Sequence, residues 1–269
     1  MRKILACVLM FISTQVFAGP KLYVFDCGLI EVENLEAFGL DAEESSVRQL
    51  FIPCYLVQHE DGLLLWDGGL PKTVADAADP VLLDSFLMSY DRWIVDQLAD
   101  MGISPEDVTH AAYSHLHFDH AGAANAFTGS EVLMQQKEWD AAFSETAAYV
   151  DTSLFDGLKG ANVKFIDGDY DVFGDGSVQL IYAPGHTAGH QLLLVSLENN
   201  GKILLSGDLF HTRANRELRR APLFNLDAEQ TLVSMDKIEK LLVEENAVLW
   251  IEHDKALADT LKKAPLYYD

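Results

Sequence analysis

The chain has 269 residues, enough for one large domain or two small ones, and carries 42 acidic against 19 basic side chains for a net charge of −23. A surface of that sign repels phosphodiester backbones and anionic membranes, so neither a nucleic-acid nor a membrane partner is expected. The same charge also favours solubility.

The N-terminus runs from Met1-Arg2-Lys3 through an apolar stretch, Ile4 to about Val16, to Ala18 ahead of Gly19-Pro20. That is the layout of a cleaved export signal over 1–18, leaving 19–269 as the mature domain and predicting a periplasmic or secreted protein. The stretch is too short to span a bilayer. Period-2 or continuous apolar runs then predict strands near 21–26, 51–58, 63–67, 108–113, 131–134, 178–183, 191–196, 202–206 and 247–251. Asn200-Gly201 is a hairpin signal between two of these. Helices are predicted over 91–101, closed by Gly102, over 136–144, and over 228–243, where Asp227 and Gln230 have capping-box spacing. Two stretches lack periodicity: the acidic 30–50 and the segment 71–90. Long insertions of this kind are commonly lids or binding loops, with solvated linkers as the alternative. Cys27 and Cys54 each lie in an apolar strand-like segment. Export would permit a disulfide if those strands were neighbours, but two separate buried thiols are the expectation. The pattern alone specifies a mixed α/β protein.

The chemistry begins in Ser114-His115-Leu116-His117-Phe118-Asp119-His120-Ala121-Gly122. Imidazole nitrogens and carboxylate oxygens suit a borderline divalent cation such as zinc, and three histidines with an aspartate within six residues exceed what one tetrahedral ion accepts from one loop. Two divalent ions, zinc foremost, are therefore predicted. His115 and His117 can project the same way from an extended chain, whereas Asp119 and His120 start the next turn and point elsewhere. Downstream, His186 in Ala-Pro-Gly-His-Thr-Ala-Gly-His, Asp208 in Ser-Gly-Asp-Leu-Phe and His253 in Trp-Ile-Glu-His-Asp each follow an apolar run. Because these residues extend from 115 to 253, a boundary between them would divide the site, and a single domain is expected.

This order and spacing resemble the metallo-β-lactamase superfamily, in its dinuclear branch with a bridging aspartate, over essentially the whole mature chain. The resemblance implies an α/β four-layer αβ/βα sandwich. It also implies that His115, His117 and His186 hold one metal, that Asp119, His120 and His253 hold the second, and that Asp208 bridges them. Asp67, in Leu-Trp-Asp-Gly-Gly after a strand, is placed to hold the far N–H of a ligand histidine, and His190 to brace its loop. Two cations lower the pKa of a shared water, so such a site suits hydrolysis of esters, lactones, amides or phosphotriesters by the resulting hydroxide. Asp119 can in addition take a proton from the nucleophile and pass it to the leaving group.

Particular residues narrow the branch. Flavodiiron members carry glutamate where His117 stands, secreted β-lactamases lack an aspartate at the position of Asp208, and glyoxalase II has a helical C-terminal extension for which the short tail after His253 leaves no room. Lys21 to Tyr23, Cys54 to Leu56, the run 114–122 and Ala183 to Gln191 are most similar to the N-acyl homoserine lactonase family, with pyridoxolactonase close by. That resemblance implies a quorum-quenching lactonase with a small-molecule lactone substrate, and a homodimer, since relatives are often dimers. One departure stands out: His211 replaces a tyrosine that helps hold the substrate carbonyl. An imidazole can also donate to a developing oxyanion, so His211 joins Asp119 as a candidate catalytic residue. Phe86, Met88, Tyr90, Phe210 and Phe224 are candidates to line a groove for an acyl tail. The alternatives are a phosphotriesterase or aryl-ester hydrolase, a secreted β-lactamase with an unusual ligand set and, in a different class, a non-catalytic metal-binding or sensing member.

Overall fold

All nine predicted strands form, and five short ones join them. The first sheet comprises β1 (Lys21–Val32), β2 (Gln49–His59), β3 (Gly62–Trp66), β4 (Val81–Leu83), β5 (Phe86–Ser89), β6 (His110–Ala112), β7 (Glu131–Gln135) and β8 (Asn162–Ile166), in the order β4-β5-β1-β2-β3-β6-β7-β8. The second comprises β9 (Tyr170–Asp171), β10 (Val178–Tyr182), β11 (Gln191–Leu197), β12 (Gly201–Leu205) and β13 (Ala247–Trp250), in the order β13-β12-β11-β10-β9. β14 (Tyr267–Tyr268) returns to pair with β1. The helices are α1 (Lys72–Ala75), α2 (Ile94–Asp100), α3 (Gln136–Ala142), α4 (Arg213–Leu218), α5 (Ala228–Glu245) and α6 (Lys255–Ala258). This computed structural model describes residues 19–83, 85–144 and 149–269; the predicted leader 1–18 lies outside the described residues.

The two sheets face each other across a core of Leu22, Val24, Tyr55, Val57, Leu64 and Trp66 from the first and Val178, Leu180, Leu193, Val195, Ile203 and Leu205 from the second. Tyr23, Phe25, Ile52, Leu65 and Val132 point the other way, onto Ile94, Leu98 and Ala142 of the helices beside the first sheet. Ile181, Leu192, Leu194 and Leu204 do the same toward Met235, Ile238 and Leu242 of α5. The layers therefore run helix, sheet, sheet, helix, which is the four-layer sandwich. Burial on both faces explains why β1 and β2 read as nearly continuous apolar runs. α5 buries one stripe at helical spacing, Thr231, Ser234, Met235, Ile238 and Leu242. The Asp227 side chain caps it by accepting from Gln230 N at 2.9 Å. The backbone N–H of Asp227 donates instead to Gly185 O, so only half of the capping box is made, and the other half ties α5 to the loop that carries His186.

Parallel pairing sets the site. β3 lies parallel to β6 with Trp66 opposite Ala112, and β12 lies parallel to β13 with Leu205 opposite Trp250. The chain therefore leaves all four strands at one edge of the sandwich, carrying Asp67, the 114–120 run, Asp208 and His253 with it. Trp66 is fully buried between the sheets, and its indole N–H donates to Glu252 Oε1 at 3.0 Å, tying the end of β3 to the end of β13. Truncating such a side chain to alanine costs about 3–5 kcal/mol.

Three expectations are corrected here. Cys27 and Cys54 form a disulfide with Cα atoms 5.7 Å apart rather than two separate thiols. β1 and β2 are antiparallel neighbours, with Phe25 opposite Cys54 and a register shift between Asp26 and Leu29 beside Cys27. Strand adjacency of this kind is invisible in the sequence. Segment 71–90 is not irregular but holds α1 and the β4–β5 hairpin, which adds to β1. Segment 30–50 is shared between the ends of β1 and β2 and a short helical turn that buries Leu35, Phe38 and Leu40. Elements of three or four residues are too short to establish a period.

Candidate metal centre

The structure brings the seven predicted ligand side chains together, all of them buried, in two groups: His115, His117, His186 and Asp208, and Asp119, His120 and His253. The first motif divides as its spacing predicts. His115 and His117 stay on one side, and the chain then turns, with His120 N and Ala121 N donating to His117 O, so that Asp119 and His120 face the second group. Asp208 stands between the groups. Its Oδ2 is 3.3 Å from His186 Nε2 and 3.7 Å from His115 Nε2. Its Oδ1 is 2.7 Å from His253 Nε2 and 3.1 Å from His120 Nε2. Asp119 Oδ2 lies 3.7 Å from His120 Nε2 and 3.9 Å from His253 Nε2.

Whether cations fit can be decided from the far side of each ring. His186 Nδ1 donates to Asn225 Oδ1 at 3.0 Å, and His253 Nδ1 donates to the Phe51 carbonyl at 2.9 Å. His120 Nδ1 donates to Asp67 Oδ2 at 2.8 Å, and His115 Nδ1 meets Ser114 Oγ at 3.0 Å. In the neutral rings the proton is thereby drawn to the far nitrogen, and the near nitrogen is left as a lone pair. In the first group those nitrogens face one another, His115 Nε2 to His117 Nδ1 at 2.9 Å and His186 Nε2 to each at 3.1 Å. An N–H on His117 Nδ1 could serve two of these contacts, but the His115 and His186 Nε2 lone pairs, 3.1 Å apart, repel unless a cation lies among them. In the second group they face the Asp208 carboxylate, and neither His120 Nε2 nor Asp208 Oδ1 finds a hydrogen-bond partner. The donor set fits two divalent ions, and far-side hydrogen bonds of this kind are how ligand imidazoles are usually oriented.

Electrostatics agree with that division. Burial, then the neighbouring imidazoles, push His115 and His117 well below the usual histidine range. Burial also opposes the charged form of His120 and His253, but Asp208 outweighs it, holding His120 well above that range and pushing His253 up to about 9, so each keeps on the nitrogen facing Asp208 a proton that a bound cation would displace. Burial would raise Asp208, yet His211, His253 and His120 hold it well below the carboxylate range.

Asp67 sits at φ +58°, a conformation that costs a non-glycine residue on the order of 1 kcal/mol. It is kept there by its N–H on Ala112 O and by Ser114 N, which donates to Oδ1 at 2.6 Å while Oδ2 holds His120. His190 lies outside both groups. Its Nδ1 donates to Ala183 O at 3.0 Å and its Nε2 accepts from Asp208 N at 2.9 Å, and burial pushes it down to about 3, so the ring is neutral. Gly207, at φ +47°, makes room for it: a Cβ there would lie 2.6 Å from His190 Nε2. His211 is buried, with Nε2 3.0 Å from Asp208 Oδ2 and no hydrogen bond at Nδ1. His59 and His110 stand away from the centre, both against Phe173.

A narrow pocket opens over the centre, with His117, Asp119, Asp208, His211 and His253 at its foot. Its walls are Ile30, Phe38, Leu50, Phe86, Phe118, Phe224 and Tyr149. Of the five aromatic and Met candidates, Phe86 and Phe224 line it, whereas Met88, Tyr90 and Phe210 pack into the cores, because their positions face the helices rather than the opening. A larger concavity of about 790 Å³ lies beyond His253, but its walls carry Glu44, Arg48, Arg213, Asp254, Lys255 and Asp259, so an apolar group would be seated over the centre instead.

Three polar residues, the half-buried Asn225 and the buried Glu252 and Glu138, were not legible as site residues. Asn225 orients His186 and is itself pinned by donating to Thr231 Oγ1. Glu252 Oε1 accepts from Trp66 Nε1 and from Gly207 N, and burial, then Asp67, pushes its carboxyl up to about 8. Glu138 accepts hydrogen bonds from both loops of the first group. In the sequence it looks like any acid in the first turn of a helix; only its burial could have marked it.

A strand-edge site of this kind on a four-layer sandwich defines a class, and the family model described as Metallo-beta-lactamase superfamily matches residues 47–247. The chain belongs to that superfamily, and it is a metal-dependent hydrolase with a dinuclear metal-binding site built from histidine and aspartate. Within the superfamily it is N-acyl homoserine lactonase-like. It is 34% identical to an N-acyl homoserine lactonase of a Bacillus species, across 87% of this chain and 93% of the relative. It is 31% identical to the N-acyl homoserine lactonase AttM of Rhizobium johnstonii, across 92% and 98%. Among solved structures, an N-acyl homoserine lactone hydrolase with N-hexanoyl-L-homoserine bound at its catalytic metal centre superposes with a TM-score of 0.80 at 29% identity, covering 93% of this chain and 99% of that one.

Proposed function

We propose that the chain is a dinuclear zinc lactonase that opens N-acyl homoserine lactones outside the cytoplasm, removing a diffusing signal. The observation that carries this reading is Asp208, which turns one carboxylate oxygen to each ligand group at the foot of an apolar pocket. His115, His117 and His186 would hold one ion, Asp119, His120 and His253 the other, and Asp208 would bridge. When bound, the pair of cations would polarise the lactone carbonyl and lower the pKa of a water between them.

The chain's own groups supply the rest. Asp119 is the ligand carboxylate most open to the pocket and can accept a proton from the attacking water and return it to the ring oxygen as the ester bond breaks. His211 lies edge-on against Phe38 and Phe224, with ring centroids 5.2 and 5.6 Å away. Burial lowers its pKa, so it would be a neutral imidazole whose single N–H, on the Nε2 that faces Asp208 Oδ2, would be passed to the carbonyl oxygen once that carboxylate is engaged by the cations. Phe86, Phe118 and Phe224 would exclude water from that proton transfer and seat the acyl tail.

Ring opening of N-hexanoyl homoserine lactone releases acid and can be followed with a pH indicator, beside a β-lactam and a phosphotriester. The lactone should give the highest kcat/KM; a β-lactam that exceeded it would overturn the substrate assignment and leave the metal centre standing. Export is supported by the leader-like residues 1–18 and by the Cys27–Cys54 disulfide, a bond favoured in oxidising compartments. Mass spectrometry of protein from a bacterial periplasm should find a chain starting at Gly19, and an intact Met1 there would count against it.

A further inference from the structure

We infer that Glu138 is the positioning residue of the His115, His117 and His186 group: a buried carboxylate that sets the separation of the two loops carrying those imidazoles, and so decides how tightly a cation is held there, without touching it. The inference rests on the dinuclear reading proposed above.

Glu138 lies in the first turn of α3, directly after β7, and is only 3% exposed. Its Oε1 accepts from Leu116 N at 3.0 Å, and Leu116 is the residue between His115 and His117. Its Oε2 accepts from Thr187 Oγ1 at 2.6 Å and from Gly189 N at 2.9 Å, on the C-terminal side of His186. One carboxylate thus spans the two loops whose three ring nitrogens must converge. The loop around His186 is also pressed onto α3 itself: a Cβ on Gly189 would lie 2.4 Å from Glu138 N, so that position accepts no side chain and the loop rests on the helix backbone.

Glutamate is required at this point by its chemistry. Three donors converge on two oxygens, and an ionised carboxylate is the side chain that offers acceptors only. Glutamine would keep the shape but turn an N–H₂ toward either the Leu116 or the Gly189 amide, setting donor against donor. Aspartate is one methylene shorter and could not reach both loops. Because backbone hydrogen bonds are at stake rather than an imidazole, a change at Glu138 should alter where the rings stand while leaving their tautomers alone.

The test is a chelator-competition titration of the purified protein with Zn²⁺, repeated with Co²⁺ to record its absorption spectrum, on wild type, Glu138→Gln, Thr187→Val and the core variant Phe127→Leu. Wild type should bind two ions. Glu138→Gln should keep one at wild-type affinity and hold the other about 10- to 100-fold more weakly, the range expected for losing an outer partner of a metal site. Its remaining Co²⁺ spectrum should match that of His186→Ala and differ from that of His253→Ala. Thr187→Val, which removes one of the three donors, should weaken the same ion by less than about tenfold. Phe127→Leu should lower the melting temperature and leave both affinities unchanged. Equal weakening of both ions in Glu138→Gln, or both affinities within twofold of wild type, would overturn the inference; should that variant not fold, an unshifted or evenly shifted Thr187→Val would do the same. A wild type that bound fewer than two ions would instead defeat the dinuclear reading.

Discussion

Three imidazoles from two loops make one half of the metal centre, while Asp119, His120 and His253 make the other; rings in both halves are held by direct hydrogen bonds, but the buried carboxylates beneath them differ in kind. Under the first half Glu138 accepts only from backbone amides and a hydroxyl, so its effect is on loop position. Under the second, Asp67 accepts from an imidazole directly and the Phe51 carbonyl from another, so the effect is on tautomer and charge. The charge states follow the same line: His115 and His117 are pushed down by burial, whereas His120 and His253 are held up by Asp208. Two ions held on either side of Asp208, as proposed above, would therefore be tuned separately.

The largest expected effect abolishes the comparison altogether. Asp208→Ala should lose both ions and on the order of a thousandfold or more in turnover, since it alone faces both groups and would screen the repulsion between two dications. Elemental analysis with a turnover assay checks this, and a variant that kept one ion and near-normal turnover would show the halves to be independent. His211→Ala comes next. It should depress turnover by roughly 10- to 1000-fold with both ions retained, because its polar contact is with the Asp208 carboxylate and it offers no nitrogen to either cluster of ligand imidazoles; wild-type turnover would leave His211 a mere wall of the pocket. Asp67→Ala should sharpen the contrast by weakening the ion beside His120 by about 10- to 100-fold while leaving the other, read by the same chelator titration. An equal loss at both would erase the distinction. His190→Ala should change metal content least. It orients the Asp208 backbone and not its carboxylate, so its cost should appear as about 1–3 kcal/mol of stability in a denaturant melt. If it lost metal as completely as Asp208→Ala, His190 would have to be counted among the ligands.

How much of this was legible depended on whether a residue acts through its own spacing or through a neighbour distant in the chain. The Ser114 to Gly122 run announces itself because imidazoles crowd into six positions, and its split into two pairs follows from the two-residue repeat of extended chain. Asp67 was legible only because it ends a recognisable strand within a familiar motif. Glu138, Asn225 and Glu252 carry no such mark: each is an ordinary polar residue on a helix, loop or strand end until folding sets it against a segment from elsewhere. The aromatic candidates divided for the same reason, since Phe86 and Phe210 look alike in sequence and differ only in what lies opposite.

The order of strands, the donors that can bind a divalent metal and the strand ends on which they stand are written locally, in apolar periodicity and residue type. The sequence by itself therefore determined a metal-binding α/β chain and the side chains from which a dinuclear centre could be built. Tertiary structure decided what depends on adjacency: that β1 and β2 lie side by side so that Cys27 meets Cys54, that parallel pairing brings four strand ends to one edge, and that a glutamate on α3 reaches both loops of one half-site. Hydrogen bonds and burial act over a few ångströms of space, and residues 22 and 51 positions apart come within that range only once the chain has folded.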